Sequence, residues 1–174
     1  PNCKVSKICD ISHNKLLDVH SRHKDCYPTT NPNEILEDPN IDIVSIASFD
    51  DCHSHQILDA LDNNKHVFVE KPMCLLRNEY EDIAQKLKSK PNLSLSSNLI
   101  LRKANRFKDL KERISKGELG LPYLYEASYD YGRIHKILNG WRGEINNYSV
   151  MHSGGIHLID LMLWLSKKKI RKVS

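Results

Sequence analysis

The chain has 174 residues, of which 40% are hydrophobic and 28% are charged. This length can bury a substantial core, and this composition is typical of a water-soluble globular protein of one or two domains. The net charge is only +4, and the one dense basic run lies at residues 167–172. A solvated helix end explains that run better than a nucleic-acid interface, so we expect no nucleic-acid partner.

Membrane and metal sites are also disfavoured. No apolar run reaches the roughly 18 residues that a spanning helix needs, and no signal peptide is visible. The five cysteines include no C-x-x-C pair, which argues against a disulfide framework or zinc ribbon and fits a cytoplasmic location. Residues 52–55, Cys-His-Ser-His, lie at one predicted helix start, where polar caps explain them better than metal ligation.

The first hundred residues alternate predicted strands and helices. Strands are predicted at residues 5–10, 41–47, 67–69 and 93–99, and helices at 14–20, 33–37, 53–64 and 80–87. This order is the pattern of right-handed crossovers in a parallel sheet. The fold class predicted is therefore α/β, with a doubly wound parallel sheet.

The pattern changes near residue 103. A basic amphipathic helix is predicted at 107–116, ended by Gly117 and Gly120. Residues 121–131 alternate, with tyrosines on one face, which predicts an antiparallel strand that covers a core or lines a ligand site. An apolar helix is predicted from 151 to 165. The sequence thus predicts an α/β domain at residues 1–102, followed by the start of an α+β domain at residues 103–174.

The tripeptide Glu70-Lys71-Pro72 directly follows the strand at 67–69. Open parallel sheets place their ligand crevice at this end of a strand, and Pro72 fixes the turn that aims the Lys71 side chain. A lysine held there beside a carboxylate could donate a proton or hold a substrate. A surface ion pair before an ordinary turn explains the tripeptide equally well.

Three other acidic or basic residues are candidates for chemistry. Asp10 ends the first predicted strand, where dinucleotide folds place an acid on the adenosine ribose, although a turn aspartate is the commoner explanation. No arginine follows Asp10 immediately, which favours NAD over NADP. His157 and Asp160 share one face of the last helix, so they either form a structural pair in the core or line a cavity.

The glycine-rich loop expected before a strand ending in Asp10 is missing. No G-x-G-x-x-G motif occurs, and all seven glycines lie after position 116. Either the protein binds no dinucleotide, or the sequence begins after the first strand and its loop. The abrupt start favours the second alternative.

Taken together, these segments resemble the Gfo/Idh/MocA family, which is named for glucose–fructose oxidoreductase and inositol dehydrogenase. The matching segments, in order, are residues 8–10, 41–47 with His53, 70–72, 98–107, 117–120, 141–142 and 155–160. The seventeen-residue step from His53 to Glu70 is the family's usual one. The resemblance runs along nearly the whole chain, although the first strand and most of the family's second sheet are absent from it.

The resemblance implies a partial Rossmann domain at 1–102 and a partial substrate and oligomerisation domain at 103–174. It implies Lys71 as the catalytic or substrate-orienting lysine, a cis Pro72, and His157 as the residue that exchanges the hydroxyl proton. Cofactor contacts are implied for Asp10, Ser48, Phe49, His53, Glu70, Lys71 and Pro72. Substrate-side positions are Arg102, Tyr125, Tyr131, Trp141, Arg142 and Asp160, with Trp141 stacking on a sugar ring and Arg142 holding a charged group.

The implied function is hydride transfer between NAD and a hydroxyl of a sugar, nucleotide sugar or polyol, by a homo-oligomer. Two alternatives stay open: a lyase or hydrolase that retains its NAD, and a non-catalytic remnant. The family often has an aspartate four residues before the histidine, where this chain has Ser153, which implies a relay through Asp160 or Lys71 alone. Without the glycine loop, we expect the chain by itself to bind NAD weakly or not at all.

Overall fold

The computed structural model describes residues 3–146 and 148–173. The first part contains β1 (Lys7–Cys9), α1 (His13–Arg22), β2 (Tyr27–Thr29), α2 (Asn33–Leu36), β3 (Ile43–Ile46), α3 (His53–Asp62), β4 (His66–Val69), α4 (Arg77–Ser89) and β5 (Leu95–Ser97). The second part contains α5 (Asn105–Ser115), α6 (His135–Leu138) and α7 (Ile156–Ser166). None of the described helices is long and apolar enough to cross a membrane.

All strands pair in parallel, which confirms the predicted fold class. They form two sheets, one with the order β1-β2 and one with the order β3-β4-β5. In the larger sheet Ile46 pairs with Val69, and Val69 pairs with Ser97. The carboxyl ends of its three strands therefore meet at one edge, and the residues that follow them are brought together there.

Strand β2 was not predicted from the sequence. It is only three residues long and contains Pro28, which lacks the backbone N–H that a central strand needs. The structure pairs β2 with β1 alone, so Pro28 lies in an outer strand of its sheet. That position tolerates proline, and the sequence pattern around it is too short to predict a strand.

The apolar core lies between the larger sheet and the helices that follow its strands. On α3, Ile57, Ala60 and Leu61 have no exposed surface, and their i, i+3, i+4 spacing turns them toward β4. On β4, Val67 and Val69 alternate onto the same core. Full burial of a side chain of this size stabilises the fold by about 1.5–3 kcal/mol. The end of β4, from which Lys71 extends, is thus rigidly supported.

An ion pair and a hydrogen bond at Asp38 join the two sheets. The Lys7 side chain, on β1, lies 2.8 Å from the Asp38 carboxylate, and Lys65, just before β4, donates to the Asp38 carbonyl at 2.6 Å. The carboxylate also accepts a bond from the backbone N–H of Asn40. These bonds, with the bond to Lys7 contributing most, lower the Asp38 pKa to about 2.

The strand predicted at residues 121–131 is wrong. These residues form no strand, because none of the described residues pairs its backbone with them. Alternating side chains are only half of what a strand requires, the other half being a hydrogen-bonded neighbour. Tyr123 is 96% exposed, so the tyrosines do not cover a common core.

The helices flanking this segment are confirmed. Helix α5 spans the predicted basic helix, and Gly117 and Gly120 after it have φ of 76° and 69°, a region that favours glycine. The predicted apolar helix begins with a π-helical turn at Met151–Gly155 and continues as α7. His157, Leu161 and Leu165 are buried at i, i+4, i+8 spacing along one face of α7.

Candidate active site

The turn that carries Lys71 is held from behind by His53. The Lys71–Pro72 peptide bond is cis, as the resemblance implied. The His53 ring has no exposed surface, and its Nδ1 lies 2.7 Å from the Pro72 carbonyl oxygen. A carbonyl only accepts, so Nδ1 carries the hydrogen and donates it. His53, which is predicted as a cofactor contact, packs against the turn, and its Nε2 has no partner among the described residues.

Glu70 is oriented by the neighbouring strands. Its backbone N–H donates to the Ile46 carbonyl at 2.9 Å, continuing the pairing of β3 with β4. The Asn98 amide donates to the Glu70 carboxylate at 2.6 Å, and the Asn98 N–H bonds the Val69 carbonyl. Glu70 and Asn98 therefore occupy the shared edge of the sheet where the strands end.

Lys71 reaches from the sheet to the start of the last helix. Its ammonium donates to the Ser153 carbonyl at 2.8 Å. Ser153 and Gly154 are both buried in the π-helical turn. A Cβ atom at Gly154 would lie 2.9 Å from the Tyr129 ring, so glycine is what lets this tyrosine pack against the turn. The close approach to this glycine is thus made by a side chain of the chain itself.

His157 follows one turn later and faces the same region. It is 7% exposed, and its Nδ1 has no partner among the described residues. Burial and, next, the positive charge of Lys71 lower the pKa of His157, while Asp160 and Glu70 oppose the change. The ring is therefore neutral at pH 7 and can accept a proton. Lys71 and His157, 86 residues apart in the sequence, are close enough for their charges to interact.

Asp160 and Arg102, both predicted on the substrate side, pair with each other. The Arg102 Nε lies 2.9 Å from one Asp160 oxygen, and its Nη2 bonds the other, which makes a bidentate pair. The Asp160 side chain is 11% exposed and that of Arg102 is 44% exposed. The hydrogen bond to Asp160 raises the pKa of Arg102 despite partial burial. The pair anchors α7 to the segment that follows β5.

Arg142 also has its partners within the chain. Its guanidinium donates to both oxygens of Asp50, at 2.9 and 3.1 Å, and to the Tyr148 hydroxyl at 3.1 Å. It lies over the Trp141 ring at 4.1 Å, and that ring packs on Phe49 with 4.7 Å between centroids. Asp50 and Tyr148 were not predicted from the sequence. Asp50 is only 3% exposed, although nothing in the sequence distinguishes it from its exposed neighbour Asp51.

The remaining predicted site residues lie in several separate parts of the structure. Asp10 lies at the carboxyl end of β1 and accepts the Ser12 N–H at 2.8 Å, while Ser48 donates to Gln56 at 2.6 Å. Tyr131 stacks on Tyr129 with 6.0 Å between centroids, and Tyr125 is half-buried. A separate cavity of about 550 Å³ opens beside β1 and α1, and none of the predicted site residues lines it.

The residues present fit part of a dinucleotide. Asp10, Ser48, Phe49 and Glu70 all stand at carboxyl ends of parallel strands, where such ligands bind. The Nδ1 of His157 is buried and has no partner among the described residues, which leaves a polar atom that a ligand could satisfy. The given sequence contains no G-x-G-x-x-G motif that would hold the pyrophosphate. In residues 3–146 and 148–173, no three His, Cys, Asp or Glu side chains are grouped to hold a metal.

The sequence is similar to those of known dehydrogenases. Inositol 2-dehydrogenase/D-chiro-inositol 3-dehydrogenase of Lacticaseibacillus casei is 29% identical over 166 residues, 93% of this chain and 45% of that protein. The scyllo-inositol 2-dehydrogenase (NAD(+)) of Bacillus subtilis is 31% identical over 149 residues, 82% of this chain and 40% of that protein. The chain therefore spans less than half the length of these curated relatives.

The fold comparison agrees. The crystal structure of myo-inositol 2-dehydrogenase from Lactobacillus plantarum superposes with a TM-score of 0.83 at 24% identity, over 94% of this chain and 49% of that one. Residues 1–98 match the family model described as an oxidoreductase family with an NAD-binding Rossmann fold, and residues 107–174 match the GFO/IDH/MocA C-terminal domain. The chain belongs to the Gfo/Idh/MocA family of oxidoreductases.

Proposed function

We propose that this chain carries the catalytic centre of an NAD-dependent oxidoreductase that acts on a hydroxyl of a polyol, sugar or nucleotide sugar. The observation that carries the proposal is the convergence of Lys71 and His157 at the carboxyl edge of the parallel sheet. Inositol dehydrogenases among the relatives support a polyol, and the B. subtilis relative supports NAD as cofactor.

In this proposal His157 is the base. Its ring is neutral because burial and Lys71 lower its pKa, so it can take the proton from the substrate hydroxyl. The Lys71 ammonium, fixed by Ser153, stabilises negative charge that develops on the substrate oxygen. NAD, when bound, supplies the hydride acceptor.

We assign the proposed cofactor and substrate residues by their position relative to the same edge of the sheet. Asp10, Ser48, Phe49, Glu70 and Pro72 would hold the cofactor, with His53 supporting the turn from beneath. Arg102, Tyr125, Tyr131, Trp141 and Asp160 stand on the substrate side. We also propose that the two domains divide at residue 102, which is supported by family matches that end at residue 98 and begin at residue 107. The family resemblance further leads us to propose a cytoplasmic homo-oligomer.

A non-catalytic role is the second candidate, because the printed sequence lacks the glycine-rich motif. Absorbance at 340 nm, measured on the protein as its gene encodes it with NAD and a panel of inositols and sugars, separates the possibilities. Net formation of NADH supports the dehydrogenase. Substrate turnover without net NADH supports a lyase or hydrolase that retains its cofactor, and absence of NAD binding supports the non-catalytic remnant.

The residue assignment has its own test. We expect Lys71→Ala to lower kcat by about 100-fold or more, as removal of one donor to a developing oxyanion does. Lys86→Ala is the matched control, because Lys86 pairs with Asp62 on the surface. Near-normal rates for Lys71→Ala, with the circular dichroism spectrum unchanged, would refute the role of Lys71.

A further inference from the structure

A buried charge cluster joins two segments that are distant in the sequence. We call Asp50, Arg142 and Tyr148 the Asp50 cluster. Asp50 lies in the loop after β3, and its two partners lie 92 and 98 residues further along the chain. Arg142 donates to both carboxylate oxygens, and the Tyr148 hydroxyl donates to one of them. Three donors therefore converge on a single carboxylate.

The number of hydrogen bonds to the Asp50 carboxylate has a physical reason. The Asp50 carboxylate is 3% exposed, and a buried charge costs several kcal/mol unless its partners are well placed. Burial and then the bond to Asp50 raise the pKa of Tyr148 to about 12, so its hydroxyl remains a donor over the physiological range. Removal of Arg142 would leave the buried carboxylate with Tyr148 as its one side-chain donor among the described residues, and removal of Asp50 would take away the acceptor that Arg142 and Tyr148 share. The three side chains therefore depend on one another.

The cluster lies between two parts of the proposed site. On one side Asp50 follows Phe49, which packs on Trp141. On the other side Tyr148 precedes Ser149, whose backbone N–H donates to the His152 ring at 3.2 Å. His152 is the second residue of the π-helical turn, and the next residue, Ser153, accepts the bond from Lys71. The path from Asp50 to the Lys71 amine thus consists of direct contacts and adjacent residues.

We propose that the Asp50 cluster is a positioning device that holds the loop at residues 48–52 together with residues 141–146 and 148–155. Its catalytic consequence rests on the function proposed above. The cluster keeps Phe49 and the Ser153 carbonyl in place, and through them the Lys71 ammonium. Arg142 is then a positioning residue, because its Nε and Nη2 both donate to Asp50.

Tryptophan fluorescence tests the structural part without cofactor or substrate. The chain has two tryptophans, so Trp164→Phe leaves Trp141 as the only one. In that background we expect Asp50→Asn to shift the Trp141 emission to longer wavelength and to increase its quenching by acrylamide. Asp51→Asn removes the same charge from the adjacent exposed residue and should change neither. Equal spectra for the two variants would overturn the proposal.

Hydrogen exchange tests whether the two segments move together. In Asp50→Asn we expect faster exchange of amides both in 48–52 and in 141–146 with 148–149, and changes confined to one segment would overturn the proposal. Tyr148→Phe loses only the hydroxyl, so it should show the same pattern at smaller amplitude. It also serves as the second variant if Asp50→Asn does not fold.

Kinetics separate positioning from substrate binding. In the active protein, we expect Asp50→Asn and Arg142→Lys to lower kcat by similar factors, because each breaks the same unit. If Arg142 bound the substrate, Arg142→Lys would instead raise KM for the polyol, and Asp50→Asn would be nearly normal. That result would refute the positioning role. If no variant or parent turns over any substrate, the proposed function fails, while fluorescence and exchange still decide the cluster.

Discussion

The Lys71 ammonium donates to the Ser153 carbonyl oxygen at 2.8 Å, across 82 residues of sequence. This bond connects the end of β4 to the π-helical turn that precedes α7. Ser153 stands where the family often has an aspartate, and it contributes its backbone oxygen to the bond. The serine therefore still contacts the lysine, but it supplies no negative charge.

The charge of Lys71 should be visible in the titration of His157. We expect Lys71→Met to raise the pKa of His157, because it removes the nearby positive charge and leaves Asp160 and Glu70. Two-dimensional NMR of the histidine rings across pH 4 to 8 would measure this. Lys86→Met, which changes a surface pair, should leave the His157 titration unchanged. A His157 pKa that stays constant in Lys71→Met would place the two groups further apart than the structure does.

The bond from His53 to the Pro72 carbonyl should contribute to stability. His53→Ala leaves that buried carbonyl without its donor, which costs about 1–3 kcal/mol of unfolding free energy in addition to the lost packing. His55→Ala, at an exposed position two residues later, should cost less than about 0.5 kcal/mol. Urea denaturation of the three proteins gives the comparison. Equal midpoints for the two variants would contradict a supporting role for His53.

Asp38 should stabilise the fold in a pH-dependent way. Its pKa is about 2 in the folded chain and 3.8 in the reference state, so the folded state favours the charged form. The resulting stability is present above pH 3.8 and is lost as the pH falls through about 2. We therefore expect Asp38→Asn to be less stable than the parent at pH 5, and the difference to shrink as the pH approaches 2. A difference that is constant with pH would exclude this ionic contribution.

Gly143 is required by its backbone neighbours. A Cβ atom there would lie 2.6 Å from the Leu138 carbonyl oxygen and 2.8 Å from that of Ile137, and neither can move without shifting α6. We expect Gly143→Ala to cost about 1–3 kcal/mol, as overpacking does. Gly132→Ala is the control, since an added Cβ there meets nothing within 4 Å. Thermal denaturation distinguishes the two, and equal melting temperatures would contradict the close packing of this turn.

The sequence predicted those elements whose signal is local. The strand before Lys71 and the helix at 53–64 were predictable, because periodicity alone reports which face is buried. Residues 121–131 have equally clear alternation, but a strand depends on a neighbour that no local pattern reveals. The partner of Arg142 was unpredictable for the same reason, since Asp50 lies 92 residues away. The proximity of Lys71 and His157 was predicted only through the family resemblance.

The confinement of the apolar core to β3, β4, α3 and α4 has a consequence for the beginning of the chain. The buried members of the core cluster begin at Ile46, with Leu36 and Val44 packed against them, and among residues 3–30 the buried apolar side chains are Leu16 and Cys26. Subglobal opening of β1, α1 and β2 therefore requires less free energy than unfolding of the whole molecule. Asp10 lies in this less stable unit. Lys71 and α3 belong to the part of the chain whose opening requires the most free energy. A ligand that contacts both Asp10 and Lys71 would raise the free energy needed to open the less stable unit. It would therefore slow the cleavage of that unit by proteases.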